Sequence, residues 1–295
     1  MKKGKRIVVI ILITVLLVGI ILFIDGYRRA NSIKTEGIIV LAYHHFLPRE
    51  KKEKYYKDNY YVMPTEQFEE QMKYLHDNGY VSIKPEVLEC YLNNTCDIPE
   101  KSFLITIDDG NISSYYEVLP ILEKNNYSAI NFVISGRIKE NVPTLEESDL
   151  NTFYYLDEYL LDDIINNHQL MVIGSHSNNL HDQDKDGKKY YELKNYEELL
   201  DDSKKSKELL FDTKYLAYPY GSTNDIYKKA VKDAGFSMAF SFNNNKKVTR
   251  NSDLYELPRF NIRADMSLKD FSLIIENRIS LKNYTKNLIK KIINK

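Results

Sequence analysis

The sequence predicts an α/β fold built on a parallel sheet or barrel, and three observations predict it. Short apolar runs alternate with amphipathic stretches about seven times along the chain. The runs are apolar enough to be strands covered on both faces, as parallel sheets require. At 295 residues the chain exceeds the usual single domain, yet α/β barrels of roughly 200–250 residues are routinely one unit.

The elements follow in order. GIIVLAY (37–43) reads as the first buried strand, and a polar, Tyr-rich excursion spans 48–62. Residues 65–79 read as a helix with Thr65 as N-cap and Gly79 as its stop. YVSI and PEVLECYL give a strand and a helix, SFLITI (102–107) a strand, and 113–126 a helix. SAINFVI (128–134) is a strand, 153–167 an amphipathic helix, QLMVIG (169–174) a strand and 195–211 a helix. KYLAYPYG (214–221) is a strand running into a turn. The helix NDIYKKAVKDAG and the strand FSMAFSF (236–242) come next. ELPRFNI (256–262) is the last strand, with a helix at 267–278. The basic tail, 281–295, is helical in pattern; it reads as a solvated terminal helix, with an anionic membrane surface as the alternative.

Forty-one basic residues against 42 acidic ones leave almost no net charge, so nucleic acid has no electrostatic reason to bind. Residues 1–6 (MKKGKR) are basic, and residues 7–24 are apolar without a charge. Eighteen helical residues span about 27 Å, close to the roughly 30 Å hydrocarbon core. The basic flank predicts a cytoplasmic tail, 1–6, and an exported body. Residues 7–24 are therefore expected to be a retained single-pass anchor in the cell membrane, and 25–35 a linker. Secretion after signal cleavage is the alternative, but DGYRRANS lacks a clean small-residue cleavage pattern. Cys90 and Cys96, the two cysteines, close a short loop; a disulfide and a pair of buried thiols fit that spacing equally.

In parallel α/β architectures, chemistry collects at the carboxyl ends of strands. Those ends carry His44 and His45, Asp108 and Asp109, His176 with His181 across a loop, Tyr218 and Tyr220 in YPYG, and Arg259. Each alone has a plain explanation: Asp-Asp-Gly and Pro-Tyr-Gly are turn sequences, and loop histidines are commonly surface residues. Four of the six histidines and a double Asp on one rim make a joint signal. Two imidazoles and one carboxylate form a three-ligand site that leaves a coordination position for water, the pattern of catalytic zinc. Such a metal brings the pKa of bound water to about 7. A second carboxylate can stay off the metal to take the water's proton, since neighbouring residues leaving a strand point different ways. This suits attack on an acyl carbon, with a backbone N–H for the oxyanion and an acid such as His for the leaving nitrogen.

TIDDG, SHSNNLH and AYPYG, in that order on successive strand ends, resemble the polysaccharide deacetylases with the NodB homology domain (carbohydrate esterase family 4), over about residues 36–280. The resemblance implies an irregular (β/α)7-type barrel. It makes Asp108 the general base and gives Asp109, His176 and His181 a divalent metal, zinc first, with cobalt or nickel as alternatives. The N–H of Tyr220 would complete the oxyanion site. Two departures matter. Ala217 stands where the family has Arg, and Arg259 is the candidate replacement near Asp108. No histidine follows His181, so the family's late Leu-x-His, source of its acid, is absent. AYHHF precedes the other motifs instead. That order resembles the circularly permuted branch that includes exported deacetylases of poly-β-1,6-N-acetylglucosamine, where a Tyr-His on the first strand supplies the acid. His44 takes that role by position. His45 is the lesser candidate, because its side chain should alternate to the other face.

The expected function is metal-dependent removal of N-acetyl groups from an extracellular polysaccharide containing N-acetylglucosamine, releasing acetate. Peptidoglycan N-acetylglucosamine or an O-acetylated glycan is the alternative substrate, since zinc amidases and esterases share one site chemistry. A non-catalytic glycan binder is the remaining alternative. Asp108 argues against it, because a binding module has no use for a base beside the metal. The tyrosines of KYYKDNYY are candidates to stack on sugar rings. The sequence points to no particular protein partner.

Overall fold

The computed structural model describes residues 2–32, 37–146, 149, 152–242, 246–278 and 281–293; within helices, the side chains of 2–11, 14, 29–32, 283, 287, 291 and 292 fall outside the description. The chain divides into two units, residues 36–268 and residues 1–35 with 269–295. After helix α1 (Lys2–Ser32) come β1 (Ile39–Tyr43), β2 (His45–Leu47), α2 (Arg49–Tyr55), β3 (Val62–Pro64), α3 (Thr65–Asp77), β4 (Val81–Ser82) and α4 (Pro85–Leu92). Next are β5 (Ser102–Ile107), a π-helical turn (Ser114–Val118), α5 (Leu119–Asn125), β6 (Ala129–Val133), α6 (Glu158–Asn167), β7 (Met171–Ser175) and α7 (Tyr196–Leu209). Then follow β8 (Tyr215–Ala217), α8 (Asp225–Asp233), β9 (Met238–Ser241), β10 (Leu257–Pro258), β11 (Phe260–Asn261), α9 (Leu268–Ile275) and α10 (Leu281–Ile293).

The main sheet runs β10-β9-β8-β7-β6-β5-β1-β11, with β4 added on β5. Its pairings are all parallel. The last segment does two jobs. Leu257 and Pro258 pair with β9, while Phe260 and Asn261 pair with β1 at the opposite edge. Only Arg259 stands between the two pairings, so the expected single strand 256–262 is split there and nearly closes the barrel. With the split segment counted once and β4 left aside, the nine-stranded sheet has seven staves. Val40, Leu104, Ile130, Phe132, Ala217, Phe240 and Leu257, drawn from six of the staves, are buried together between them. Each large apolar side chain so buried is worth about 1.5–3 kcal/mol. Gly174 of β7 has no Cβ because one would run into the Phe132 ring.

Several local expectations are corrected. Thr65 is the first residue of α3 rather than its cap, because its hydroxyl donates to Glu117 across a 2.7 Å bond. The helix predicted over 113–126 opens with the π turn before α5. Pro120 lacks an N–H and its ring crowds the carbonyl four residues back, which favours a widened turn. The helix predicted over 153–167 starts only at Glu158, where the Asp157 side chain caps the Leu160 N–H. Residues 48–62 fold into α2 and the start of β3, which pairs with β2 apart from the main sheet. Cys90 and Cys96 are joined in a disulfide.

In the other unit, α1 continues to Ser32, so most of the expected linker 25–35 is helical; residues 33–35 lie outside the described residues. Nothing in YRRANS breaks a helix, which is why it continues. Among the described residues no helix is long and apolar enough to cross a membrane. The side chains of residues 7–11 and 14 of the expected span 7–24 lie outside the description. The described large apolar residues of that span are mostly exposed, including Leu12, Val15, Leu16, Ile21 and Leu22 at 63–65%.

Candidate metal and catalytic site

Strand β5 ends at Ile107, and the Asp108 N–H still bonds to the Tyr43 carbonyl of β1 (2.9 Å). The chain then turns through positive φ at Asp109 (75°) and Gly110 (68°). Asp tolerates that conformation better than most residues. Glycine is required next, because a Cβ at Gly110 would stand 3.0 Å from the Val133 backbone and side chain. The turn separates the two carboxylates, as their adjacency at a strand end predicts.

His176 leaves β7 with its N–H on the Val133 carbonyl (2.8 Å) and its Nδ1 2.7 Å from the Ala217 carbonyl. A carbonyl only accepts, so Nδ1 carries the proton and the Nε2 lone pair is presented to the site. Burial pushes the His176 pKa down to about 4, against the pull of Asp108, and the ring is neutral near pH 7. The following loop is pinned from three sides. Ser135 and Gly136 donate backbone N–H groups to Ser177 and Asn178 (both 3.1 Å). Asp202 accepts from the N–H groups of Asn178 (3.0 Å) and Asn179 (2.7 Å). Arg137 donates to the His181 carbonyl (3.1 Å).

These restraints set His181 Nε2 3.3 Å and His176 Nε2 3.6 Å from Asp109 Oδ1. One ligand atom from each residue lies within 4.8 Å of the others. Ligand bonds of about 2.0–2.2 Å around tetrahedral zinc put donor atoms roughly 3.4 Å apart, so the triad fits a cation of that size. Asp109 Oδ1 is buried with no hydrogen-bond partner, and at neutral pH His176 has no proton to offer it. A carboxylate oxygen and two imidazole nitrogens grouped this closely are a donor set for a divalent metal.

Asp108 has a different environment. Arg259, fully buried, grips both its oxygens, Nη1–Oδ1 at 2.6 Å and Nη2–Oδ2 at 2.9 Å, and also reaches Thr106 Oγ1 (3.0 Å). Burial by itself would raise the Asp108 pKa; the Arg259 charge overcomes it, helped by His176 and His44, and holds the carboxyl well below the usual range. The cation expected to replace the family's arginine is therefore Arg259, reaching Asp108 from the segment that closes the barrel.

His44 Nε2 stands 3.9 Å from Asp108 Oδ2, with its ring against Tyr61 and Phe242. His45 does not turn away as strand alternation predicts. Residue 44 interrupts the strand between β1 and β2, and both histidines line the same cleft. His45 is nevertheless committed elsewhere: its Nδ1 is 2.8 Å from Ser113 Oγ, and burial pushes its pKa down to about 4. That makes it a poor proton donor beside His44. Tyr220, at φ 58°, stacks its ring on His181 (4.7 Å) and donates its hydroxyl to the His181 carbonyl (3.3 Å). The cleft encloses about 310 Å³, and the sequence-predicted His44, Asp108, Asp109, His176, His181 and Tyr220 all line it. Phe153, Tyr155 and Phe242 line it too, and the sequence reading missed them. The pattern over 153–167 predicts a helix for the first two, and nothing local marks Phe242 as anything but core.

Residues 96–239 match the model of the polysaccharide deacetylase family. Over that stretch, just under half of its length, the chain is similar to this family. The match includes Asp108, Asp109, His176, His181 and Tyr220 and leaves His44 and Arg259 outside it, one before and one after. Among curated relatives, poly-β-1,6-N-acetyl-D-glucosamine N-deacetylase of Staphylococcus aureus (strain N315) is 27% identical, over 89% of this chain and 94% of that protein. Among solved structures, IcaB from Ammonifex degensii superposes with a TM-score of 0.68 at 26% identity, over 82% of this chain and 98% of that one. A de-N-acetylase from Aggregatibacter actinomycetemcomitans shares the fold (TM-score 0.64, 21% identity, covering 81% of this chain and all of that one). These likenesses indicate a deacetylase-type hydrolase on a nearly closed parallel barrel.

Proposed function

We propose that this protein is a membrane-anchored, metal-dependent enzyme that hydrolyses N-acetyl groups of a β-1,6-linked N-acetylglucosamine polymer outside the cell. One observation carries the reading: two adjacent carboxylates have opposite surroundings, Asp109 facing two imidazoles and Asp108 a buried arginine. The substrate follows the Staphylococcus aureus relative and the position of His44 ahead of the other motifs. An exported location is supported by the apolar, exposed α1 and by the disulfide, a bond that persists in oxidising compartments.

Asp109, His176 and His181 would hold the divalent cation, zinc first and cobalt or nickel next. When bound, it supplies Lewis acidity to the acetamido carbonyl and acidifies a water. Asp108 is the group that would take a proton from the attacking water. A carboxylate held so low is a weak base, so this role would depend on the acidity such a cation lends to a water. His44, facing Asp108, delivers a proton to the leaving nitrogen so that it departs as an amine. The Tyr220 N–H is assigned to the developing oxyanion. The aromatic wall of Tyr61, Phe153 and Phe242 excludes water and offers faces to the sugar ring.

Acetate release by the full-length, zinc-loaded protein, compared across β-1,6-linked oligomers, β-1,4-linked oligomers and peptidoglycan, tests this reading. Fastest release from the β-1,6 series is expected. Preference for peptidoglycan would reassign the substrate, and no release from any of them would overturn the enzymatic reading.

A further inference from the structure

We propose that α10 is an interfacial helix that binds an anionic lipid surface where α1 leaves the bilayer, giving the protein a second lipid contact beside its span. The inference rests on residues 7–24 being that span. Within their unit, α1 and α10 meet at Tyr284. Its ring stands nearly edge-on to Phe23 (5.3 Å) and Tyr27 (5.5 Å). Its hydroxyl packs over Gly26, where a Cβ would collide with it. Residues 23–27 are where the apolar run ends, the lipid–water boundary at which tyrosine rings are favoured. Tyr284 therefore holds α10 at interfacial depth.

The rest of α10 has the matching chemistry. Leu281, Tyr284 and Leu288 recur at helical spacing with Ile289 beside them, and Leu281, Leu288 and Ile289 are 53, 38 and 50% exposed. Lys282, Lys286 and Lys290, four apart, form a row next to that stripe, and the sequence of α10 contains no Asp or Glu. An apolar stripe edged by lysines suits a surface that is greasy beneath and negative on top: acyl chains take the leucines and lipid phosphates take the lysines. A soluble anionic polymer would satisfy the lysines and leave the leucines in water. A groove on another protein would bury the leucines but has no need to sit at the depth of Tyr284.

The test uses the full-length chain reconstituted into vesicles, with bimane on a single introduced cysteine, Leu288→Cys in α10 or Leu16→Cys in α1. The native cysteines, being disulfide-bonded, stay unlabelled. In phosphatidylcholine–phosphatidylglycerol vesicles the probe at 288 should shift to the blue and be quenched by lipids carrying a shallow quencher, and do so less in phosphatidylcholine alone. Each lysine near an anionic surface contributes about fivefold in partitioning. Lys282→Gln, Lys286→Gln and Lys290→Gln together should therefore weaken it roughly a hundredfold and remove the phosphatidylglycerol effect. A probe at 288 in water while the probe at 16 is quenched by deep-quencher lipids overturns this inference alone. A probe at 16 in water overturns the span and this inference with it. A blue-shifted 288 probe that lipid quenchers cannot reach indicates a protein contact and also overturns the inference, as does a triple variant that behaves like the parent.

Discussion

Replacing Arg259 by methionine keeps most of the side-chain volume and removes the charge that neutralises Asp108. The pair is bidentate at 2.6 and 2.9 Å, with Arg259 and Asp108 0 and 1% exposed. Water cannot substitute for the lost partner. Breaking one side of such a pair costs about 3–5 kcal/mol, chiefly because the other charge stays buried. At about 2–4 °C per kcal/mol for a domain of this size, the melting temperature should fall by roughly 6–20 °C. The loss should depend on pH, with a definite sign. In the parent the Asp108 pKa is depressed, so its stabilisation is present above the unfolded value and lost only as pH falls through the folded one. In the variant, burial without a cation raises that pKa, and stability is gained as pH falls. The gap should therefore narrow on acidification, by up to about 1.4 kcal/mol per pH unit. Thermal melts followed by circular dichroism suit a chain without tryptophan. Adding Asp108→Leu to Arg259→Met should recover much of the loss. An Arg259→Met protein as stable as the parent, or a gap that does not change with pH, would refute the claim that Arg259 is what keeps Asp108 ionised in the barrel.

The remaining predictions concern single groups. Asp108→Asn should abolish acetate release while metal content measured by mass spectrometry stays at the parent level, whereas His176→Ala should lose the metal as well; full activity in Asp108→Asn removes the base assignment. His44→Ala should lower turnover by roughly 10²–10⁴-fold if it is the acid, and an unchanged rate moves the role to His45 or water. His168 bridges Glu123 (2.6 Å) and Asp163 (3.0 Å); burial lowers its pKa, but the two carboxylates outweigh that and raise it. Its stabilisation is thus complete below the ordinary histidine value and fades as pH rises through the raised one. His168→Gln should cost about 0.5–1 kcal/mol in mild acid and almost nothing in alkali; chemical denaturation at both pH values reads the difference.

Much of this protein was legible as local pattern. SFLITI and PEVLECYL match β5 and α4 residue for residue, because burial of every position marks a covered strand and a helix announces itself at Pro85. Asp109, His176 and His181 could be assigned to one rim because they follow β5 and β7 of one parallel sheet, which places all carboxyl ends on one side. Where the pattern misled, a longer-range contact had decided the matter. Thr65 looked like a cap until Glu117 took its hydroxyl, and Phe153 looked helical although it lines the cleft.

By itself, the sequence determined the succession of strands and helices, the residue types at the strand ends and hence the chemistry they can perform, since all of these depend on neighbours within a few positions. Tertiary structure alone decided that Arg259 pairs with Asp108 and that a segment interrupted at Arg259 nearly closes the barrel. It alone placed His44 and His45 in one cleft. An ion pair joining residues on distant strands is set by register and barrel closure, and those depend on the packing of the whole unit rather than on any window of the chain.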